Sequence, residues 1–216
     1  MEELKISDMQ LAPFVDSDEL PIGRVAFKQN GCKRLWDYVD YKDQIQALVY
    51  NKTRDAFVLR KEFRPAPYLN INSKMLKEEV SDIENKSSEK KEFKTVAPFE
   101  LGVTYELCAG IVDQKRPLVE ITKDAISQMM GYNVEEKQIK RIYQTNHVGY
   151  SGDRCDIYIV EVTDEMLIKD FKPDADLVEY FYLSRNDAQE FATSDEYVKN
   201  SNVIASILWC FLHNIF

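Results

Sequence analysis

The sequence predicts an α+β protein, and three features of the chain support this fold class. Strand-like segments with alternating polarity fill the first third of the chain. A strand, a glycine loop and a helical segment follow one another over residues 106–132. The chain then closes on an apolar segment, residues 203–216, with helical periodicity. There is no internal repeat and no second composition regime, so residues 1–216 are expected to form one domain.

Charge and composition exclude several kinds of partner. The net charge is −9 and the isoelectric point is about 4.9, which argues against nucleic acid or an anionic membrane surface as a ligand, because both are polyanions. The acidic start lacks the basic and apolar pattern of a secretory signal. The apolar segment 203–216 is too short to span a bilayer. Four scattered cysteines indicate free buried thiols in a reducing compartment, so we expect a cytoplasmic protein.

Residues 1–62 are predicted to form an N-terminal β section. An Asn30-Gly31 turn between two strand-like segments is a strong hairpin signal, and a second strand pair follows at residues 45–63. Pro65 ends that second pair, because proline cannot donate to a ladder. Residues 70–98 are rich in Lys, Glu, Ser and Asn, which predicts a solvated loop and a mobile insertion.

The second half alternates strands with helices. A helix is expected from about Leu118 to Met130, ended by Gly131 as its C-cap. Strands are expected at residues 139–144, 155–162 and 178–184, and a helix begins near residue 185. Ser201 and Asn202 are predicted to cap a final helix that packs on the sheet or on a second subunit.

Several blocks in order resemble the Nudix hydrolases, in particular the UDP-sugar diphosphatase branch related to ADP-ribose diphosphatases. The blocks are FKQNGCKRLWDYV, VLRKEFRPAPY, ELCAGIVDQ, GYSGDR, EVTDEM and the apolar C-terminal helix. The resemblance implies the Nudix fold, an α/β/α sandwich with a mixed β-sheet, preceded by the antiparallel β section. In related diphosphatases that section helps to form a homodimer.

The box that defines this family departs from its usual pattern over residues 110–132. It runs glycine, five residues, glutamate, seven residues, arginine, glutamate, an aliphatic residue, any residue, two glutamates, any residue, glycine and an aliphatic residue. Gly110 and Gly131 stand at the two glycine positions with the right separation. In the family, glutamates one helical turn apart share a helix face and bind Mg²⁺.

None of the box's carboxylates is kept when the two glycines are the anchors. The residues at the first glutamate, the arginine, the next glutamate and the glutamate pair are, in that order, Arg116, Asp124, Ala125, Gln128 and Met129. Sliding the helix by one residue restores one acid, Asp124, but puts Ser127 and Gln128 at the glutamate pair. Mg²⁺ is a hard cation that prefers carboxylates, and Met offers a soft thioether. The sequence therefore predicts weak or no hydrolase activity.

Three residues outside the box helix are candidates for substrate binding. Arg64 matches a family position near the substrate phosphates, and bidentate recognition of phosphate suits arginine, although a strand-end arginine can equally form a surface ion pair. Glu106 matches a family acid near metal and substrate, or else braces the loop. Arg154 could meet an anion, but a plain turn is an equally good interpretation. His147 is not assigned a role as general base, and His213 is expected to be structural.

Two functional hypotheses follow. In the first, the protein is Nudix-like, has lost most or all hydrolase activity, and keeps nucleotide-sugar binding or serves as a partner in an assembly, with no cofactor. In the second, it is an active Mg²⁺-dependent diphosphatase whose substitute metal site uses Glu106, Glu120 and Asp124 with an acid from residues 164–179. That acidic loop offers Glu165, Asp170, Asp174 and Asp176, and no motif selects one of them.

Overall fold

The computed structural model of the chain describes residues 20–80, 95–113, 115–174 and 177–215, together with Ile6 and Met9. Residues 81–94 of the predicted insertion, Asp176 and nearly all of the N-terminal lead-in lie outside the described residues. No helix within the described ranges is long and apolar enough to cross a membrane.

The N-terminal section opens with an antiparallel hairpin of β1 (Ile22–Gln29) and β2 (Cys32–Val39). Asn30 and Gly31 both have positive φ, which confirms the tight turn that this dipeptide predicts. The hairpin is exposed along both strands, and it is joined to the body where Trp36 stacks on Tyr150 and the Val39 N–H donates to the Tyr150 carbonyl.

The other described strands form one mixed, curled sheet. They are β3 (Gln44–Asn51), β4 (Ala56–Phe63), β5 (Val103–Glu106), β6 (Cys108–Ile111), β7 (Ile139–Asn146), β8 (Arg154–Val162), β9 (Leu177–Ser184) and β10 (Val198–Lys199). The main path runs β10-β5-β4-β3-β8-β7, with β6 paired to β3 and β9 paired to β4. Strand β3 is parallel to β8 over its whole length and antiparallel to β4 and β6.

Helices cover both faces of this sheet, which confirms the α/β/α sandwich. On one face, α2 (Leu118–Ala125) and the π-helical turn Ile126–Met130 pack on a core that includes Ile45, Val58 and Val160. On the other face, α3 (Ala188–Thr193) and α4 (Ser201–Leu212) pack on a core that includes Leu48, Phe57 and Ile159. The two faces alternate along β3 and β4, because successive side chains of a strand point to opposite sides.

The prediction of a loop over residues 70–98 is wrong for its first part, because helix α1 spans Pro65–Val80. Pro65 suits the first helical position, where a missing N–H costs nothing. The helix depends on few anchors: Tyr68 is fully buried against Phe63 and Phe99, and Asn72 accepts hydrogen bonds from the Val96 and Ala97 N–H groups. Because one of the buried anchors is an Asn and not an apolar residue, the segment shows no apolar periodicity. It therefore looks polar in sequence although it is helical.

Two smaller expectations need correction. The cap of α4 is Asn200, whose side chain accepts from the Val203 N–H at 3.0 Å, so Ser201 and Asn202 lie inside the helix. All four cysteines are free, as predicted, but Cys32 on the hairpin is exposed while Cys108, Cys155 and Cys210 are buried.

Gly131 ends the helical segment of residues 118–130 for two separate reasons. Its φ is +71°, in the left-handed region, and a Cβ there would lie 2.5 Å from the Phe171 ring. Gly152 has nearly the same φ, +74°, but a Cβ there would meet no atom within 4 Å. Comparison of the two positions therefore separates backbone strain from steric overlap.

Gly131→Ala is expected to lower the free energy of unfolding by roughly 2–4 kcal/mol, the sum of left-handed strain and overpacking. Gly152→Ala should cost only about 1 kcal/mol, because it adds strain without overlap. Gly149→Ala is the control, since a Cβ at Gly149 meets nothing and its φ is not left-handed. Urea unfolding of the three variants measures these differences, and equal losses for Gly131→Ala and Gly152→Ala would contradict the role of Phe171.

Candidate functional site

The segment from β6 to Gly131 keeps the predicted order of strand, loop and helix. Pro117 precedes α2, and the α-helix gives way to a π-helical turn at Ile126–Met130. A π turn accommodates one extra residue within a helix and often occurs at functional sites. It lies between Ala125 and Gly131, so a single helical register does not hold along the whole segment.

Ala125 occupies a place where no longer side chain fits without displacement of its neighbours. It is 8% exposed and packs against β6, where a Cβ added to Gly110 would lie 3.4 Å from the Ala125 Cβ and 3.1 Å from Ile45 Cδ1. Strand and helix therefore approach closely through two small residues. At this box position the side chain belongs to the core.

The two positions of the glutamate pair also differ from metal ligands. Gln128 is exposed, and Met129 packs against the core cluster that contains Ala125 and Ile126. The Met129 carbonyl accepts a hydrogen bond from the Tyr180 hydroxyl at 2.5 Å. Burial raises the pKa of Tyr180 to about 12, so the hydroxyl keeps its proton and remains a donor.

Arg116 and Asp124 form an ion pair across the start of the box helix. Arg116 Nη1 lies 2.8 Å from Asp124 Oδ2. When the two glycines are used to align the box, the family pattern has glutamate at the position of Arg116 and arginine at the position of Asp124. This chain therefore has an oppositely charged pair at the same two positions, with the charges exchanged. The pair is half-exposed, which limits its strength but preserves a link between the loop and the helix.

Arg64 and Glu106, both predicted as substrate-binding residues, do lie together. Two hydrogen bonds of 2.7 Å join the Arg64 guanidinium to the two Glu106 carboxylate oxygens. Thr104 also donates its hydroxyl to Glu106 Oε1 at 2.6 Å. The bidentate pair stands at the ends of β4 and β5, which places an arginine fork at the rim of the site.

Sequence reasoning missed two further charged residues, Arg60 and Glu62, which extend this pair inward. Arg60 Nη2 lies 2.5 Å from Glu62 Oε1, and Arg64 Nη2 lies 2.7 Å from Glu62 Oε2. Arg60 is 1% exposed and Glu62 is 4% exposed. The available signal was the alternation of charged residues 60, 62 and 64 at the end of β4 and directly after it, since alternate residues of a strand share a sheet face. We call Arg60, Glu62, Arg64 and Glu106 the charged row.

Burial and hydrogen bonding set the protonation of this row. Burial raises the pKa of Glu62 above its usual range, although Arg60 and Arg64 oppose the shift. Burial also acts to raise the pKa of Glu106, but hydrogen bonds from Arg64 and Thr104 outweigh it and leave the pKa below the usual value. Burial raises the pKa of the neighbouring Cys108 thiol to about 12, so this thiol is protonated and is not a nucleophile at neutral pH.

The third predicted binding residue, Arg154, has a different partner. Its guanidinium pairs with Asp43 at 2.6 and 3.0 Å, at the start of β8, and it does not join the charged row. In the adjoining turn, His147 Nδ1 lies 2.7 Å from Asp153 Oδ2, and Gln44 donates to the same oxygen at 3.1 Å. His213 stacks on Trp209 at the end of α4.

Of the acids in the 164–179 loop, Asp174 comes nearest to the charged row. Asp174 Oδ2 lies 3.7 Å from Arg60 Nη2, and its side chain is half-exposed. Glu165 and Asp170 are exposed, and Asp176 lies outside the described residues.

The described donors do not fit a magnesium site. Within the ranges described, no three His, Cys, Asp or Glu side chains come close enough together to hold a metal ion. Glu106 is engaged by Arg64, Asp124 by Arg116, and Glu120 lies partly exposed in the first turn of α2. The substitute site built from Glu106, Glu120 and Asp124 stays a prediction, since it requires two of these acids to exchange partners.

The overall architecture matches that of a solved structure. A solved structure described as an ADP compounds hydrolase superposes with a TM-score of 0.62 over 93% of this chain and 89% of that chain, at 8% sequence identity. At such low identity this likeness establishes the fold, including the mixed sheet between helices. No protein-family model matches the sequence.

Comparison with curated proteins gives the family. Two proteins named uridine diphosphate glucose pyrophosphatase NUDT14 match 86% of this chain and 85% of their own length. The Bos taurus protein is 29% identical over 191 residues, and the Mus musculus protein is 30% identical over 192 residues. This chain belongs to the Nudix hydrolase superfamily, in the branch of the uridine diphosphate glucose pyrophosphatases.

Exchange of the charges of the Arg116–Asp124 pair is expected to be tolerated only when both residues change. Arg116→Glu and Asp124→Arg should each cost about 0.5–1 kcal/mol, because each variant places like charges side by side. The double variant should recover most of that loss. Urea unfolding of the four proteins gives the coupling energy, with Lys115→Glu at the exposed neighbouring position as the control for a general charge effect. Additive losses in the double variant would contradict the pairing.

Proposed function

We propose that this protein is a Nudix-family member with weak or no diphosphatase activity that binds a nucleoside diphosphate sugar. The observation that carries the proposal is the box helix, where Ala125, Gln128 and Met129 stand at the glutamate positions. Ala125 lies in the core, Gln128 offers at most a neutral amide oxygen and Met129 a thioether, so this face provides no anionic oxygen for a hard cation.

The rest of the site supports binding better than hydrolysis. Metal-dependent diphosphatases need a cation to acidify the attacking water and to neutralise the leaving phosphate. Here the positive charge near the site belongs to Arg60 and Arg64, which can bind an anion but cannot activate water in that way. Relatives named for UDP-glucose favour a nucleotide sugar as the ligand.

A second candidate is an active diphosphatase that releases a nucleoside monophosphate and a sugar phosphate with Mg²⁺. The family relationship favours it, and so does the position of Asp174, which brings one acid of the 164–179 loop to the charged row. It requires Glu106, Glu120 and Asp124 to assemble as metal ligands. Glu106 would first have to leave Arg64, and Asp124 would have to leave Arg116.

The leading proposal predicts that UDP-glucose and ADP-ribose are turned over within a few-fold of the buffer blank when Mg²⁺ or Mn²⁺ is varied. Product release is followed with the purified full chain, and UDP-glucose binding is measured by calorimetry on the same preparation. Glu120→Gln and Asp124→Asn should leave both results unchanged. Metal-dependent turnover that these two variants abolish would instead establish the second candidate.

We further propose that the protein is a homodimer joined through the β1–β2 hairpin. One face of this ribbon presents Val25, Phe27, Trp36 and Tyr38, all more than two-fifths exposed, and the other presents Ile22 and Leu35 at 63% and 67%. A two-stranded ribbon is marginal in water by itself, and an apolar patch of this kind is typical of an interface. A second copy of the hairpin is the partner that the family resemblance favours.

The dimer predicts a molar mass near twice that of the 25.2 kDa chain in light scattering coupled to gel filtration. Phe27→Glu with Leu35→Glu should give the monomer, because it places charges on both faces of the ribbon. Leu212→Glu, at a 77% exposed position on α4, is the matched control and should stay dimeric. A monomeric wild-type protein at tens of micromolar would refute the interface.

A further inference from the structure

The side chain of Arg60 has no role in the box pattern, yet it points to the sheet face on which the box helix packs. Arg60 follows Val58 by two residues on β4, so both side chains point to the sheet face that α2 covers. Tyr180, its partner across β4 and β9, hydrogen-bonds the Met129 carbonyl at the end of that helix. Arg60 and the end of the box helix therefore have Tyr180 as a common neighbour.

Arg60 is buried, and two of its side-chain nitrogens make no hydrogen bond to the described residues. Nη2 contacts Glu62, but Nε and Nη1 are buried and have no hydrogen-bond partner among the described residues. Buried polar groups in native proteins nearly always have partners, so two orphan donors on one guanidinium call for an acceptor that the described protein atoms do not supply. The acceptor must be anionic or strongly polar, because the two donors belong to a cationic guanidinium.

The charge pattern of the row points to an anion at this place. Glu62 lies between the two guanidiniums of Arg60 and Arg64, and Glu106 holds the outer side of Arg64. Asp174 is a further acid near Arg60, but at 3.7 Å it is beyond hydrogen-bond length and its side chain is half-exposed. The diphosphate of a nucleotide sugar carries two negative charges, one on each phosphate, and its oxygens can accept from the guanidinium at hydrogen-bond length, so it competes for Arg60 better than a single carboxylate at that distance.

We propose that Arg60 is the built-in cation of a metal-independent site for the phosphate groups of a nucleoside diphosphate. This proposal rests on the proposed function and deepens it. A phosphate enters beside the half-exposed Arg64, replaces the Asp174 carboxylate next to Arg60, and accepts from Nε and Nη1. Arg60 then supplies the positive charge that a metal held by helix glutamates supplies in a box of the usual composition. It does not supply an activated water, so binding persists where hydrolysis does not.

The test is calorimetric titration of UDP-glucose, and separately of UDP, into the full chain in EDTA and in Mg²⁺. The wild type is expected to bind each nucleotide with the same affinity, within about two-fold, in both buffers. Arg60→Met keeps most of the volume without donors and should weaken binding at least ten-fold. Arg60→Lys keeps the charge without the fork and should give an intermediate affinity. Arg141→Met, which removes an exposed arginine paired with Asp156 on β7 and β8, should bind like the wild type.

The possible results distinguish the role of Arg60 from the proposed binding of a nucleoside diphosphate sugar. Wild-type binding that requires Mg²⁺, or wild-type affinity in a folded Arg60→Met or Arg60→Lys variant, would overturn the role of Arg60 and leave nucleotide-sugar binding intact. Failure of the wild type to bind either nucleotide in both buffers would overturn the binding function itself. Folding of each variant is checked by thermal unfolding. If Arg60→Met does not fold, either unchanged affinity in Arg60→Lys or a requirement of the wild type for Mg²⁺ still refutes the proposal.

Discussion

Strand β3 imposes the constraint on which the site depends. A strand has two edges for backbone pairing, and β8 occupies one of them along the whole of β3. The other edge is shared, with β4 at Val49–Asn51 and β6 at Gln44–Ala47, so β4 must turn away and pair with β5 instead. The sheet forks at this point. The charged row lies on the diverging part of β4, directly after it at Arg64, and on β5 at Glu106, and these two outer members are partly exposed to solvent.

Around that fork, several charged side chains lie on or beside the strands. The box helix has Ala125, Gln128 and Met129 at the glutamate positions, and Ala125 lies close to Gly110. The strands carry two guanidiniums within hydrogen-bonding reach of Glu62. A fixed guanidinium and a bound metal both neutralise anions, but only the metal also acidifies water. A site of this kind can therefore bind a phosphate group without activating water.

Particular residues show how far sequence reasoning reaches. Asn30-Gly31 and Gly131 predicted a hairpin turn and a helix end, because their left-handed backbone conformations are local properties. The family resemblance singled out Arg64 and Glu106 as separate candidates, but it did not predict that the two side chains pair. By contrast, α1 was not predicted, because its buried anchors are Tyr68 and Asn72. The burial of Arg60 was not predicted either, because an arginine on a strand is usually exposed. The partner of Arg154 could not be predicted either, since Asp43 is more than a hundred residues away along the sequence.

By itself the sequence determined the family, the order of the elements and the replacement of glutamate at the glutamate positions of the box, because these depend on residue identity and spacing. The tertiary structure decided which charges meet: Arg116 with Asp124, Arg64 with Glu106, and Arg60 with Glu62. Two of these pairs join residues on different elements, and the third is defined by which face of β4 is buried. Burial and partner choice depend on the packing of distant segments, so no local pattern encodes them.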